Sequence, residues 1–151
     1  TPGRLNLFEF KHFKFLVDYA HNPAGMQLLC DFVEKMDGTP KVGVISGTGD
    51  RRDEDIREIG RISSRYFDEI IIRQDKNLRG RSAEEIVKLL VEGINENKEK
   101  KIPVTIIYSE REAIMHAYNT VKPGSLITIM CDVVAEALDL IKELKEKEDK
   151  E

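Results

Sequence analysis

The sequence predicts a three-layer α/β domain: a mostly parallel sheet of about six strands, an antiparallel hairpin at one edge, and helices on both faces. Three observations predict it. Runs rich in Val and Ile at 13–17, 42–45, 70–72, 104–107 and 126–130 mostly lack polar alternation, as strands covered on both faces do. Each run is followed by an amphipathic stretch with a legible helix start. The chain has 151 residues and a mass of 17.3 kDa, the usual size of one domain. At that length folding buries about 70% of the surface of the unfolded chain, without disulfide or metal staples.

Taken in order, residues 5–10 and 13–18 flank Lys11-His12 and form the edge hairpin. Asn22-Pro23 supplies an N-cap and the proline favoured in the first helical turn. Met26, Leu29, Phe32, Val33 and Met36 then recur at helical spacing. After 42–45, Asp55 to Glu58 reads as a capping box, in which the cap and the third residue satisfy each other's backbone donors. Ser82 to Glu85 and Ser109 to Glu112 repeat that pattern after the next two runs, and Ile86, Leu89, Leu90 and Ile94 form the apolar stripe of the first of these helices. Asp132 stands where it can cap the last helix. The tail 143–151 is charged throughout and reads as a solvated, fraying helix end, while 95–101 reads as a surface loop. The order is one strand followed by five βα units, a Rossmann-like layout.

Composition removes several function classes. With 40% hydrophobic and 34% charged residues, the chain is neither disordered nor a membrane protein by composition, and no apolar run nears bilayer-spanning length. There are 24 basic and 28 acidic residues, a balance that argues against nucleic acid as a partner. Cys30 and Cys131 lie far apart without metal-ligand spacing, which fits reduced thiols in the cytoplasm. The first residue is Thr1, so the chain reads as processed or as a piece of something longer.

In a parallel sheet, ligands gather beyond the carboxyl ends of the strands. That rim receives Asp18 to Asn22, Ser46 to Asp53, Gln74 to Lys76, Ser109 and Asp132. Within Gly47 to Asp53, glycines allow a tight turn into a helix N-terminus. Such a corner offers N–H groups to an anion, and Arg51 or Arg52 adds a charge-assisted contact. The same residues also suit surface ion pairs. The segment is no P-loop, because no G-x-x-x-x-G-K-[ST] occurs, and Arg52 fills the third glycine position of a dinucleotide fingerprint. Asp18 closes a buried strand and must find donors or water. His21 serves either a ligand or a neighbouring carbonyl. Arg79-Gly80-Arg81 precedes a helix start, where it meets an anion or solvent. His12 and His116 do not suggest catalysis, Cys30 reads as packing, and Cys131 has no partner base.

Together these segments resemble the C-terminal domain of the Mur ligase superfamily, which includes folylpolyglutamate synthetase and cyanophycin synthetase. The residues that carry the likeness are Thr1 to Phe8, Asp18-Tyr19-Ala20-His21-Asn22-Pro23, Gly49 to Asp55, and Arg79-Gly80-Arg81. The likeness covers essentially the whole chain and favours the cyanophycin-type branch.

The resemblance implies one domain, 1–151, of an ATP-dependent amide ligase. Such enzymes phosphorylate a carboxylate to an acyl phosphate, which an incoming amine then attacks. It further implies that Arg4 approaches the ATP phosphates, that Asp18 binds the ribose hydroxyls, and that His21 and Asn22 lie beside the nucleotide. Gly49, Asp50, Arg51, Arg52 and Arg81 fall near the incoming amino acid and the acyl phosphate. ATP and Mg2+ are the implied cofactors, with magnesium held mainly by a central ATPase domain that this chain lacks. The implied partners are an amino acid, a growing peptide or polymer, and the rest of the same ligase; self-association stays open. The isolated domain is expected to be inactive. A stand-alone nucleotide- or metabolite-binding module is the competing reading, and glutamate or diaminopimelate addition competes with aspartate and arginine.

Overall fold

The computed structural model describes residues 4–49 and 51–151. The elements are β1 (Asn6–Glu9), β2 (Lys14–Asp18), α1 (Pro23–Lys35), β3 (Lys41–Ile45), α2 (Asp53–Tyr66) and β4 (Glu69–Ile72). They continue as α3 (Ala83–Asn95), β5 (Val104–Ile106), α4 (Glu110–Thr120), β6 (Leu126–Met130) and α5 (Val134–Asp149). The sheet runs β1-β2-β6-β3-β4-β5. β1 lies antiparallel on β2, with Asn6 opposite Val17 and Glu9 opposite Lys14. All other pairings are parallel, so the predicted mixed sheet is the observed one.

Strand residues alternate between two cores, as a period of two requires. Leu16, Ile45, Ile70 and Ile72 pack with Met26, Ile56 and Leu90 beneath α1, α2 and α3. Phe15, Val17, Val44 and Ile71 pack with Ile114, Leu140 and Ile141 beneath α4 and α5. Because β6 lies between β2 and β3, the ends of the chain's first and last parallel strands adjoin. The whole carboxyl rim forms one surface.

Caps set the helix starts. Asn22 Oδ1 accepts from Gly25 N at 2.7 Å, Ser82 Oγ from Glu85 N at 3.1 Å, and Ser109 Oγ from Glu112 N at 3.2 Å, each as the sequence predicts. Two other expected caps are corrected. α2 starts earlier, after Arg52, without a side-chain cap, and Asp55 instead pairs with the Arg52 guanidinium. Asp132 does not cap α5: its Oδ2 accepts from Lys76 N at 2.8 Å, and Val133 occupies the cap.

Three further expectations change. β5 is the far edge strand and is only partly covered, with Ile106 47% exposed. Phe32 lies on the outer side of α1 rather than in the core. The charged tail does not fray: α5 continues to Asp149, with Leu144 buried and Lys145 5.4 Å from the Phe10 ring centroid. Among the described residues no helix is long and apolar enough to cross a membrane.

Candidate functional site

Three loops leave the carboxyl rim side by side and are tied together. The loop after β2 joins the loop after β3 through Thr48 Oγ1, which donates to the His21 carbonyl at 3.2 Å. The loop after β3 joins the one after β4 twice. Ser46 Oγ donates to Asp75 Oδ1 at 3.3 Å, and Arg81 donates to the Arg51 carbonyl at 3.0 Å. Gly49 is the point of closest approach: a Cβ there would stand 2.1 Å from the Leu78 carbonyl oxygen. The Arg51 N–H donates to Thr48 O at 3.0 Å, which closes the turn before α2.

Asp18 ends β2 with 3% exposure. Its Oδ1 accepts from Leu5 N at 2.9 Å, and Leu5 takes a left-handed φ of 49°. Burial holds the Asp18 carboxyl above its ordinary 3.8, against the opposing pull of the Leu5 and Ala20 N–H groups and of Arg4. Asp18 thereby fixes the entry segment and keeps Arg4 in electrostatic reach of the rim. His21 Nδ1 lies 3.2 Å from the Tyr19 carbonyl. A carbonyl only accepts, so His21 Nδ1 is the donor in that bond. The exposed Tyr19 ring lies 5.3 Å from the His21 ring.

The raised Asp18 value carries a pH prediction. A carboxyl with a raised folded value contributes most to stability below pH 3.8, and that contribution is lost as pH rises through the folded value. Asp18→Asn keeps an acceptor for Leu5 but carries no charge. Its urea midpoint should gain on the wild type's between about pH 3 and about pH 7. A constant gap across that range would mean burial is not the dominant influence.

The other predicted residues are partly committed within the protein. Asn22 Oδ1 is occupied by its cap. Arg52 is 81% exposed and forks onto Asp55 at 3.0 and 3.2 Å, the surface ion pair the sequence left open. Arg81 contacts Asp53 at 2.5 Å, Glu85 and the Arg51 carbonyl, which makes it a brace between two loops. Asp50 lies outside the described residues. Burial pushes the thiols of Cys30 and Cys131 up to about 12, so both are inert. Among the described residues no group of three or more His, Cys, Asp or Glu could hold a metal ion.

Sequence reasoning missed one cluster. Arg73, directly after β4, is 1% exposed. Its guanidinium donates to the Met130 carbonyl at 3.0 and 2.5 Å, contacts Asp75, and lies 3.6 Å from Glu110. Burial raises the Glu110 carboxyl, with Arg73 opposing. Glu110 also accepts from Asp132 N at 2.9 Å. The available signal was a cation following Ile70–Ile72 without a polar residue between.

Residues 3–132 match the family model "Mur ligase, glutamate ligase domain". A cyanophycin synthetase of Crocosphaera subtropica is 41% identical over 141 residues, 93% of this chain and 16% of that protein. A UDP-N-acetylmuramoyl-L-alanyl-D-glutamate–2,6-diaminopimelate ligase of Aquifex aeolicus is 31% identical over 131 residues, 86% of this chain and 26% of that protein. Among solved structures, E. coli FolC in complex with ADP superposes with a TM-score of 0.73 at 19% identity, covering 97% of this chain and 33% of that one. The chain thus spans about a sixth of the cyanophycin synthetases it matches. With a family model matched over residues 3–132 and the same fold in solved relatives, the chain belongs to the Mur ligase, glutamate ligase domain family.

Proposed function

We propose that residues 1–151 are the C-terminal domain of a cytoplasmic ATP-dependent amide ligase of the cyanophycin synthetase type. In this reading a central ATPase domain supplies the phosphate loop and Mg2+. The present domain closes over ATP and receives the amino acid that joins a growing aspartate- and arginine-containing polymer. One observation carries it: the loops after β2, β3 and β4 are bonded into one corner by Thr48, Ser46 and Arg81, as a site shared with another domain requires. The relatives support it: they are cyanophycin synthetases, and the chain spans a small share of their length.

Arg4 and Asp18 face the nucleotide in this arrangement. ATP, when bound, supplies the phosphoryl group that activates the acceptor carboxylate. Arg4 contributes positive charge beside the phosphates, and Asp18 holds the entry segment and faces the ribose. His21 and Asn22 line the nucleotide's edge. Gly49, Asp50, Arg51 and Arg52 border the amine, with Arg81 bracing them. Closure excludes water from an acyl phosphate that water would otherwise consume.

The test uses the intact ligase with ATP and a panel of aspartate, arginine, glutamate and diaminopimelate. Arg4→Ala and Asp18→Ala should each raise KM for ATP about tenfold, the loss of one charge-assisted contact. The 151-residue chain alone should form no amide. Unchanged KM in both variants would remove Arg4 and Asp18 from the nucleotide site.

A further inference from the structure

A ring of charged groups closes beneath the loop that follows β4. Arg73, 1% exposed, pairs with Asp75 and lies 3.6 Å from Glu110 at the start of α4. Glu110 Oε1 accepts from Asp132 N at 2.9 Å, and Asp132 Oδ2 accepts from Lys76 N at 2.8 Å. Lys76 adjoins Asp75 in the chain, so the path returns to its start. The ring joins the carboxyl ends of β4, β5 and β6, and Arg73 Nε donates to the Met130 carbonyl at 3.0 Å. Charged and polar groups that satisfy one another in a closed buried network hold one geometry, because displacing any member leaves the others unpaired in a low dielectric.

The ring stands at the base of residues 74–82, and the far part of that loop forms one wall of the corner described above. The Leu78 carbonyl abuts Gly49, and Arg81 donates to the Arg51 carbonyl at 3.0 Å and pairs with Asp53. Gln74 Nε2 donates to the Ala83 carbonyl at 3.2 Å, which draws the two ends of the loop together. Asp75, Glu110 and Asp132 also line a groove of about 760 Å³ between α4, α5 and this loop. On that side the loop base faces open volume rather than packed side chains, so its placement falls to the ring. Asp75 Oδ1 further accepts from Ser46 Oγ at 3.3 Å, which carries the ring's position across to the end of β3. We infer that Arg73 is a positioning residue of the site: through Asp75 it fixes the base of the 74–82 loop, and that loop fixes Gly49, Arg51 and Arg52 where they border the incoming amine. The inference rests on the proposed ligase reading for the reaction it serves. It deepens that reading with a residue that touches no substrate and sets the amine side of the corner apart from the nucleotide side, which reaches the loop after β3 through Thr48.

Two measurements test it. In the intact ligase, Asp75→Ala should lower kcat about tenfold with the amino acids it joins, and leave KM for ATP within about twofold. Asp75→Asn keeps an acceptor for Arg73 and Ser46 and should recover most of the loss. Arg73→Lys should act like Asp75→Ala, and the double variant should be no worse than the more affected single one, because both break the same link. The second measurement needs no activity: amide hydrogen exchange in the 151-residue chain. The N–H groups of Arg51 and Arg81 donate to Thr48 O and Leu78 O at 3.0 Å each. Both should exchange about tenfold faster in Asp75→Ala and Arg73→Lys. Gly25 N, capped by Asn22 in the loop after β2, should keep its wild-type rate. A general loss of stability would quicken Gly25 and the strand amides as well. Unchanged exchange at Arg51 and Arg81, or equal quickening at Gly25, overturns the inference, as does a wild-type kcat for Asp75→Ala in an active ligase. An intact wild-type ligase that forms no amide with any of the panel removes the ligase reading instead, and exchange at Arg51 and Arg81 then decides whether Arg73 positions the corner.

Discussion

Arg73→Met should lower the stability of the folded chain by about 3–5 kcal/mol, seen as a large drop in the urea midpoint at neutral pH. The guanidinium is 1% exposed and holds together groups from three separate segments: the Met130 carbonyl at the end of β6, Asp75 after β4, and Glu110 at the start of α4. Methionine fills the volume but leaves the carbonyl and the carboxylates without their cation. An unpaired buried charge costs more than the pair itself contributes.

The pH dependence separates this account from a packing defect. Glu110 already sits above its ordinary 4.5 because of burial, and Arg73 pulls it back. Without Arg73 it rises further. A raised folded value confers its stability below pH 4.5 and loses it as pH climbs, so the variant's deficit should be largest near neutrality and shrink in acid. Adding Glu110→Gln to Arg73→Met should recover part of the loss, because the two sites are in contact and their effects do not add. A deficit independent of pH, with no recovery in the double variant, would show that the cluster contributes through volume alone. Arg73→Lys should fall between wild type and Met, since an ammonium keeps the charge but loses the planar fork on Met130.

The features legible in the sequence are those encoded locally. Apolar runs gave the five parallel strands, and the oxygens of Asn22, Ser82 and Ser109 gave three helix starts. Convergence of the Asp18, Gly49 and Arg81 loops was also legible, because parallel strands joined by helices deliver all their carboxyl ends to one rim. What escaped depends on partners distant in sequence. Asp55 and Asp132 have the chemistry of caps, but the Arg52 guanidinium and the Lys76 N–H claim them first. Strand order placed β5 at an edge and so exposed Ile106, although its run reads like that of a central strand. The Arg73 cluster needs β6 inserted beside β3 before Met130 and Glu110 come within reach. The same insertion creates the groove between α4 and α5. Composition in a linear window carries none of this.

On the proposed ligase reading, Gly49→Ala should lower kcat/KM of the intact enzyme about a hundredfold while leaving the sheet folded. The added Cβ would stand 2.1 Å from the Leu78 carbonyl oxygen and 2.6 Å from the carbonyl carbon. Both are backbone atoms and cannot rotate aside, so one of the two loops must move. The movement reaches the candidate chemistry from both sides. Arg51 and Arg52 follow Gly49 within one turn, and Arg81, which braces Arg51 O and Asp53, follows Leu78 by three residues. A displacement near 1 Å is enough to uncouple groups that must meet in a transition state, and over-packing of this kind costs about 1–3 kcal/mol of stability. The control is Gly124→Ala. That residue has a φ of 89° and lies at the opposite rim, before β6, so alanine there brings backbone strain without touching the corner. Gly124→Ala should therefore lose stability and keep kcat/KM. If Gly49→Ala retained kcat/KM within about twofold of wild type, the close approach of the two loops would not be what aligns the site.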